Sequence, residues 1–229
     1  MVRSLVNHWH EVSAFLCGAV AVCAILLVDD PVQQCLFAAI CAMLLHFYEE
    51  FGFPGGFPLM GVRLLLGSDE PDSTKWHCNN LNSMFGNWMA LLLLYIVPLL
   101  LPGVRFLTLA AMMFLFAEVF MHLLLFNVRQ KSLYNPGMVT GVVLMGAIGL
   151  YYFTSVFDAS GLAWWDWALA VVWFVAVFVF CFRSPLYWRL GDVPGYPLTH
   201  QTAFGLSKSA GKDSAVSAKR APSRRGRSA

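Results

Sequence analysis

Between Val104 and Phe126 the chain reads VRFLTLAAMMFLFAEVFMHLLLF. A bilayer core of about 30 Å takes roughly 20 helical residues to cross. This stretch is long enough, and after Arg105 its only ionisable groups are Glu118 and His122. It therefore reads as a transmembrane helix with a carboxylate and an imidazole inside it. Spaced i, i+4, the two side chains share one face of the helix. An unpaired carboxylate in hydrocarbon is expensive, so Glu118 must pair, take up a proton or bind something.

The rest of the chain is of the same kind. Five more apolar stretches, near Val12–Val28, Val32–Tyr48, Met84–Leu101, Met138–Phe157 and Leu162–Phe182, are of spanning or nearly spanning length. Asp29-Asp30-Pro31, Pro102-Gly103 and Asp158-Ala159-Ser160-Gly161 join them in pairs as tight hairpins. Trp164, Trp165 and Trp167 follow the last of these links and read as an interface belt. Of the 229 residues, 59% are hydrophobic and 12% charged, against about 25% charged in an average soluble protein. The mean hydropathy is +0.64. An ordinary soluble enzyme and a wholly disordered chain are both excluded, the latter by 19 Phe, 8 Trp and 7 Tyr. The expected fold is all-α: a single domain over residues 1–206 with six transmembrane helices. Residues 207–229, rich in Ser, Ala, Lys and Arg, read as a disordered basic tail.

The one long connection, Glu49 to Ser83, contains an apolar piece, Leu59–Leu66, too short to span. It reads as surface-lying or partly re-entrant. With six spans, fourteen of the fifteen Lys and Arg fall on one side and Arg105 alone on the other. By the positive-inside rule both termini are cytoplasmic, N-in and C-in. The net charge of +2 thus hides two sides of opposite sign. The tail cations can attract anionic lipid or serve only as a topology signal. Nothing in the pattern suggests nucleic-acid binding. The six Cys form no CxxC pair and read as small buried hydrophobes.

A second polar constellation closes the second span: His46-Phe47-Tyr48-Glu49-Glu50. Both carboxylates lie within about 60° of His46 around a 3.6-residue helix. His46 and His122 each lie about one turn from the same end of their spans, so two imidazoles and up to three carboxylates can converge in one leaflet. That donor set suits a divalent Zn, Fe or Mn ion. Our candidate ligands are His46, Glu49, Glu118 and His122; Glu50 is the candidate general base on a bound water. Glu118 is also a catalytic candidate, as are Asn82 and Tyr134. Against this stand blander readings. Glu50 can simply end the helix at the water boundary, and a His–Glu network can satisfy itself without metal. Tyr134-Asn135-Pro136-Gly137 has the capping asparagine and early proline of a helix start.

From His46 through Glu49 and Glu50 to the Gly-Pro run Phe53–Pro58, the sequence resembles the HXXEE-domain family of small multi-span membrane proteins. An asparagine-bearing start to a later span (Asn79, Asn80 or Asn82), a histidine-containing span (His122) and Tyr134-Asn135-Pro136-Gly137-Met138-Val139-Thr140 are also similar to that family. The resemblance runs from about Cys35 to Tyr151 and implies that His46, Glu49 and Glu50 are the defining residues. It implies no particular reaction. The residues point first to a membrane-embedded, metal-dependent enzyme acting on a lipid or an amphiphile, with a hydrolase the simplest case. An oxygen-using iron enzyme draws on the same ligand types. A metal-free acid–base enzyme or lipid-binding protein is the alternative, followed by a transporter and a structural role.

The orientation has a direct test. Alkaline phosphatase fused after Gly103 is expected to be active and green fluorescent protein fused there dark; fusions after Lys131 should show the reverse pattern.

Overall fold

The computed structural model describes residues 1–206; the tail, 207–229, lies outside the described residues. Among the described residues there is no strand. A short helix, α1 (Val2–Asn7), precedes α2 (Trp9–Leu27) and α3 (Pro31–Phe51). A nine-residue helix, α4 (Phe57–Leu65), follows in the long connection. Then come α5 (Asn80–Leu100), α6 (Arg105–Gln130), α7 (Val139–Val156), α8 (Trp164–Arg183), α9 (Pro185–Gly191) and α10 (His200–Phe204). Helices α2, α3, α5, α6, α7 and the pair α8–α9, which meet at the extended Ser184, are long and apolar enough to cross a membrane.

The first two spans exceed the roughly seventeen residues read between charges. Helix α2 begins at Trp9 and takes in His10 and Glu11. Helix α3 continues through Glu49 and Glu50 to Phe51. Both glutamates are buried, so they do not end the helix by reaching water. Its other end is sharp: Asp30 Oδ1 accepts from Gln33 N at 2.8 Å, and Pro31 occupies the first turn.

Helix α3 is the hub. It pairs with α2 and touches α4, α5, α6 and α7. Leu36, Ala39, Ile40, Met43, Leu44 and Phe47 bury its face in the main core. Helix α2, by contrast, buries only Trp9, His10 and Ser13. Its remaining surface, Cys23 included, is that of a lipid-facing span. Cys35 and Cys181 are buried, as small hydrophobes should be.

The long connection and the end of the described chain are one unit. Leu59 and Val62 of α4 pack with Trp76 and Ala203. Gly55 and Gly56, at φ +71° and +96°, turn the chain against α10, and Gly56 N donates to Thr202 O at 3.0 Å. The Gln201 side chain reaches back to Pro54 O. Arg129 donates to Leu64 O at 2.8 Å and ties the end of α4 to α6. The apolar piece of the loop is therefore a strapped helix over the bundle end. Arg3 lies 5.7 Å from the Tyr196 ring, so both ends of the described chain share one face. We call it the terminal face.

Asn79 is the joint of this face. Its Oδ1 accepts from Leu81 N and Asn82 N at 2.8 and 3.0 Å. Its Nδ2 donates to the carbonyls of Leu190, Gly191 and Val193 at 2.8–3.1 Å. Asn82 returns the capping box, accepting from Asn79 N at 2.9 Å, and donates to His77 O at 3.1 Å. Replacing Asn79 by Ala should cost about 2–3 kcal/mol, through a lost cap and stranded carbonyls. Asn87→Ala, which removes one bond to Ser83 O, should cost under about 1 kcal/mol. Thermal unfolding in detergent should rank them in that order.

Candidate metal centre

The i+4 rule puts His46 and Glu50 on one stripe of α3 and Glu118 and His122 on one stripe of α6. The structure turns these stripes toward each other. Glu50 Oε1 lies 3.4 Å from His46 Nε2 and 3.5 Å from His122 Nε2. Glu118 Oε2 lies 3.4 Å from His122 Nε2 and 3.8 Å from His46 Nε2. The imidazoles meet edge to face, with centroids 4.9 Å apart. Side-chain exposure is 1–5% for His46, Glu50 and His122 and 19% for Glu118. Donor atoms of His46, Glu118 and His122 lie within 4.8 Å of one another.

The outer nitrogens of both rings are committed elsewhere. Thr140 Oγ1 donates its one proton to Glu49 Oε2 at 2.6 Å. Towards His46 Nδ1, 2.8 Å away, the same oxygen must then accept, so that nitrogen carries the hydrogen. Asn135 Nδ2 donates to His122 O at 2.8 Å and Asn127 Oδ1 at 2.7 Å. That leaves its Oδ1 to accept from His122 Nδ1 at 2.6 Å. With both Nδ1 atoms protonated, a neutral ring offers a lone pair at Nε2. Two such lone pairs and two carboxylates then face one another with no hydrogen among them. Acceptors do not converge in a buried site unless a cation or added protons lie between them.

Glu49 is not part of this group, although it was expected among the ligands. One residue along a helix is a rotation of about 100°, so Glu49 and Glu50 face different neighbours. Glu49 turns to the start of α7, where Oε1 accepts from Val139 N and Tyr134 Oη at 3.0 Å each. Its Oε2 accepts from Thr140 N at 2.8 Å as well as from the Thr140 hydroxyl. A carboxylate at a helix N-terminus is favourably placed. Tyr134 touches Glu49, not the imidazoles; burial and then the adjacent carboxylate push its phenol upward, which keeps the donating proton in place. Asn82, expected as a catalytic candidate, has its amide committed to the α5 cap and His77 O. It is a joint of the terminal face, not a member of the centre. Burial pushes the Cys78 thiol up to about 11, away from the range of an activated thiolate.

Three residues escaped the role they have here. Asn135 read as a helix cap but orients His122. Thr140, one turn into its span, is the link between Glu49 and His46. Gly137, at φ +91°, lies where a Cβ would come 2.5 and 2.6 Å from Cε1 of His122 and His46. Only a bare backbone lets the start of α7 approach both rings. Two π-helical turns, Met121–Phe126 and Val139–Met145, carry His122 and Thr140. Such turns often mark functional sites. Phe57 at the start of α4 covers His122 and Phe126, at centroid distances of 6.4 and 6.0 Å.

A family model described as a protein of unknown function with HXXEE motif matches residues 37–152. That interval runs from α3 into α7 and contains His46, Glu49, Glu50, Glu118, His122, Asn135, Gly137 and Thr140. No curated protein and no solved structure matches the chain.

Gly137→Ala should be among the most damaging single-methyl changes in this protein. It adds left-handed backbone strain to overlap with two imidazoles, costing about 2–4 kcal/mol. Gly141→Ala, whose added carbon would lie 3.4–3.6 Å from the same rings, should cost about 1 kcal/mol or less. Melting of the two variants in detergent separates them.

Proposed function

The chain belongs to the HXXEE-motif family, and on that premise we propose that it is a membrane-embedded, metal-dependent hydrolase of a lipid or amphiphile, with both termini cytoplasmic. His46, Glu118 and His122 would hold a divalent ion, Zn, Fe or Mn, and Glu50 is the general base. The observation that carries this reading is the convergence of four acceptors whose imidazoles have both Nδ1–H groups occupied. The donor set fits an ion in spacing as well as in chemistry. Ligands about 2.0–2.2 Å from a tetrahedral zinc stand about 3.3–3.6 Å from one another. The imidazole–carboxylate separations are 3.4–3.8 Å, and the donor atoms of His46, Glu118 and His122 all lie within 4.8 Å of one another, a set that a bound ion would draw slightly inward. Histidine ligands whose other nitrogen is fixed by a hydrogen bond are the usual design of metal sites.

Two histidines and a glutamate with one position left open are a known catalytic zinc arrangement. A bound ion there supplies Lewis acidity and lowers the pKa of a water toward 7. The protein's own groups do the rest. Thr140 and Asn135 each hold one ring in a single tautomer and orientation. Glu50 receives a proton from the attacking water and delivers it to the departing oxygen or nitrogen, while the water oxygen joins the acyl carbon. Phe57 and α4 limit access of bulk water.

A metal-free reading is favoured by the same short contacts, because protonated imidazoles would also sit 3.4–3.8 Å from two carboxylates. Mass spectrometric metal analysis of protein purified without chelator separates the two. We expect close to one ion per chain, and none in a His46→Ala, His122→Ala double variant. Thr140→Val and Asn135→Ala should weaken metal affinity by about 10–100-fold each while keeping the fold. Well under one ion in the wild type, or unchanged metal in the double variant, overturns the metal reading.

A further inference from the structure

The centre forms part of the wall of a much larger chamber. A pocket of about 500 Å³ runs from the terminal face past His46, Glu50, Glu118 and His122 into the bundle. Its deep end is lined by Met43, Ala90, Phe114 and Phe174. Met43 and Phe114 lie about one turn beyond His46 and Glu118, away from the terminal face. At the other end the lining includes Arg183, Tyr187 and Trp188. Phe174 and Arg183 are nine residues apart on α8, about 13 Å along the axis. Between these ends Phe120 of α6 and Val175 and Phe178 of α8 line the pocket and are themselves 40–56% exposed on the outside of the bundle. Helices α6 and α8 pack together at Leu109, Ala110 and Ala170; nearer the terminal face, residues that line the pocket and are also exposed point to a side opening of the chamber between the same helices.

We infer that the substrate is a single-chain amphiphile with an anionic head. Its chain enters through that gap and lies against the deep apolar wall; its head rests at Arg183. This inference rests on the hydrolase reading of the same centre. Three features carry it. The first is size: at about 30 Å³ for a group the size of a water or a methylene, a chamber of about 500 Å³ matches one long chain. The second is polarity: apart from the centre, the wall is almost entirely carbon, which suits a hydrocarbon and not a sugar or a peptide. The third is charge. Arg183 is exposed, forms no ion pair among the described residues and stands at the rim. Glu50 and Glu118 lie further in and repel an anion. An anionic head is therefore held at the rim, leaving the first bonds of the chain at the depth of the histidines.

Native mass spectrometry of the full chain with palmitoyl-lysophosphatidylglycerol, palmitoyl-lysophosphatidylcholine and dipalmitoyl-phosphatidylglycerol tests this, with metal content measured on the same samples. One lysophosphatidylglycerol should bind per chain, at least about tenfold more tightly than the two-chain lipid. Val175→Trp, which fills the side opening from a lipid-facing position, should weaken it about tenfold. Arg183→Gln should weaken it about fivefold and abolish the preference over lysophosphatidylcholine. Neither change should alter metal content. Equal binding of the two-chain lipid, or wild-type binding in both variants, overturns the inference even where the metal is stoichiometric. The expected binding pattern in protein that carries no metal upholds the single-chain amphiphile and removes the metal reading alone.

Discussion

The Glu49 carboxylate, seated on the first amides of α7, joins α3 to α7 through four hydrogen bonds from Tyr134, Val139 and Thr140. It takes the Thr140 proton, and that makes Thr140 an acceptor towards His46. The tautomer of a histidine on one helix is thus set by a glutamate three residues further along the same helix, acting through a third residue on another. Removing the carboxylate would free Thr140 to donate to His46 Nδ1, which would move the ring hydrogen to Nε2 and into the centre. The geometry of the donor atoms therefore depends on a group that does not itself belong to the centre.

A cluster of this kind is costly in a bilayer, and the fold shows how the cost is met. Backbone amides and neutral side chains stabilise the Glu49 carboxylate where it stands. Glu50 and Glu118 have only the imidazoles. Those residues sit under α4, whose ends are held by Thr202 at Gly56 and by Arg129 at Leu64. The strap beyond α9 is anchored in turn by Asn79 and by Asn80, whose Nδ2 donates to Pro197 O at 2.6 Å. Polar capping at the terminal face thus keeps the apolar cover of the centre in place. Asn79, Asn80 and Asn82 serve this role, which explains a cluster of asparagines near the centre that does not enter it.

Much of this was legible in residue order. Apolar run length gave the six spans, because a helix in lipid needs little more than length and hydropathy. The i+4 pair Glu118–His122 and its partner at His46 were visible because helical period places them without reference to any neighbour. The division of labour between Glu49 and Glu50 was not. Both fall within the same arc of α3, and which of two adjacent carboxylates meets which helix depends on where α6 and α7 stand around it. For the same reason residue order does not separate Tyr134 from Asn82, both polar groups near a span end. One lies beside the N-terminus of α7, against Glu49, and the other is consumed by a cap. Residue order ends the second span at Tyr48, because two adjacent carboxylates interrupt the apolar run there. Besides His46 on the same helix, their ion-pair and hydrogen-bond partners come from residues about 70–90 positions away, and these let the helix carry them inward.

The distribution of polarity also bears on transport. A conduction path needs polar lining through both halves of the bilayer. Here the second pocket, about 290 Å³ at the opposite face, is lined by Asp30, Arg105, Tyr152 and Asp158 among others. Between the two pockets lies the main core, in which Leu36, Ile40, Leu94, Met112 and Leu115 are almost wholly buried. Crossing that layer would require ions or polar solutes to displace closely packed aliphatic side chains, and among the described residues no ionisable pair is buried within it to help them. Packed aliphatic side chains thus separate the chamber from the pocket at the opposite face, and that form suits the proposed reaction on a membrane-dissolved molecule better than passage through the membrane.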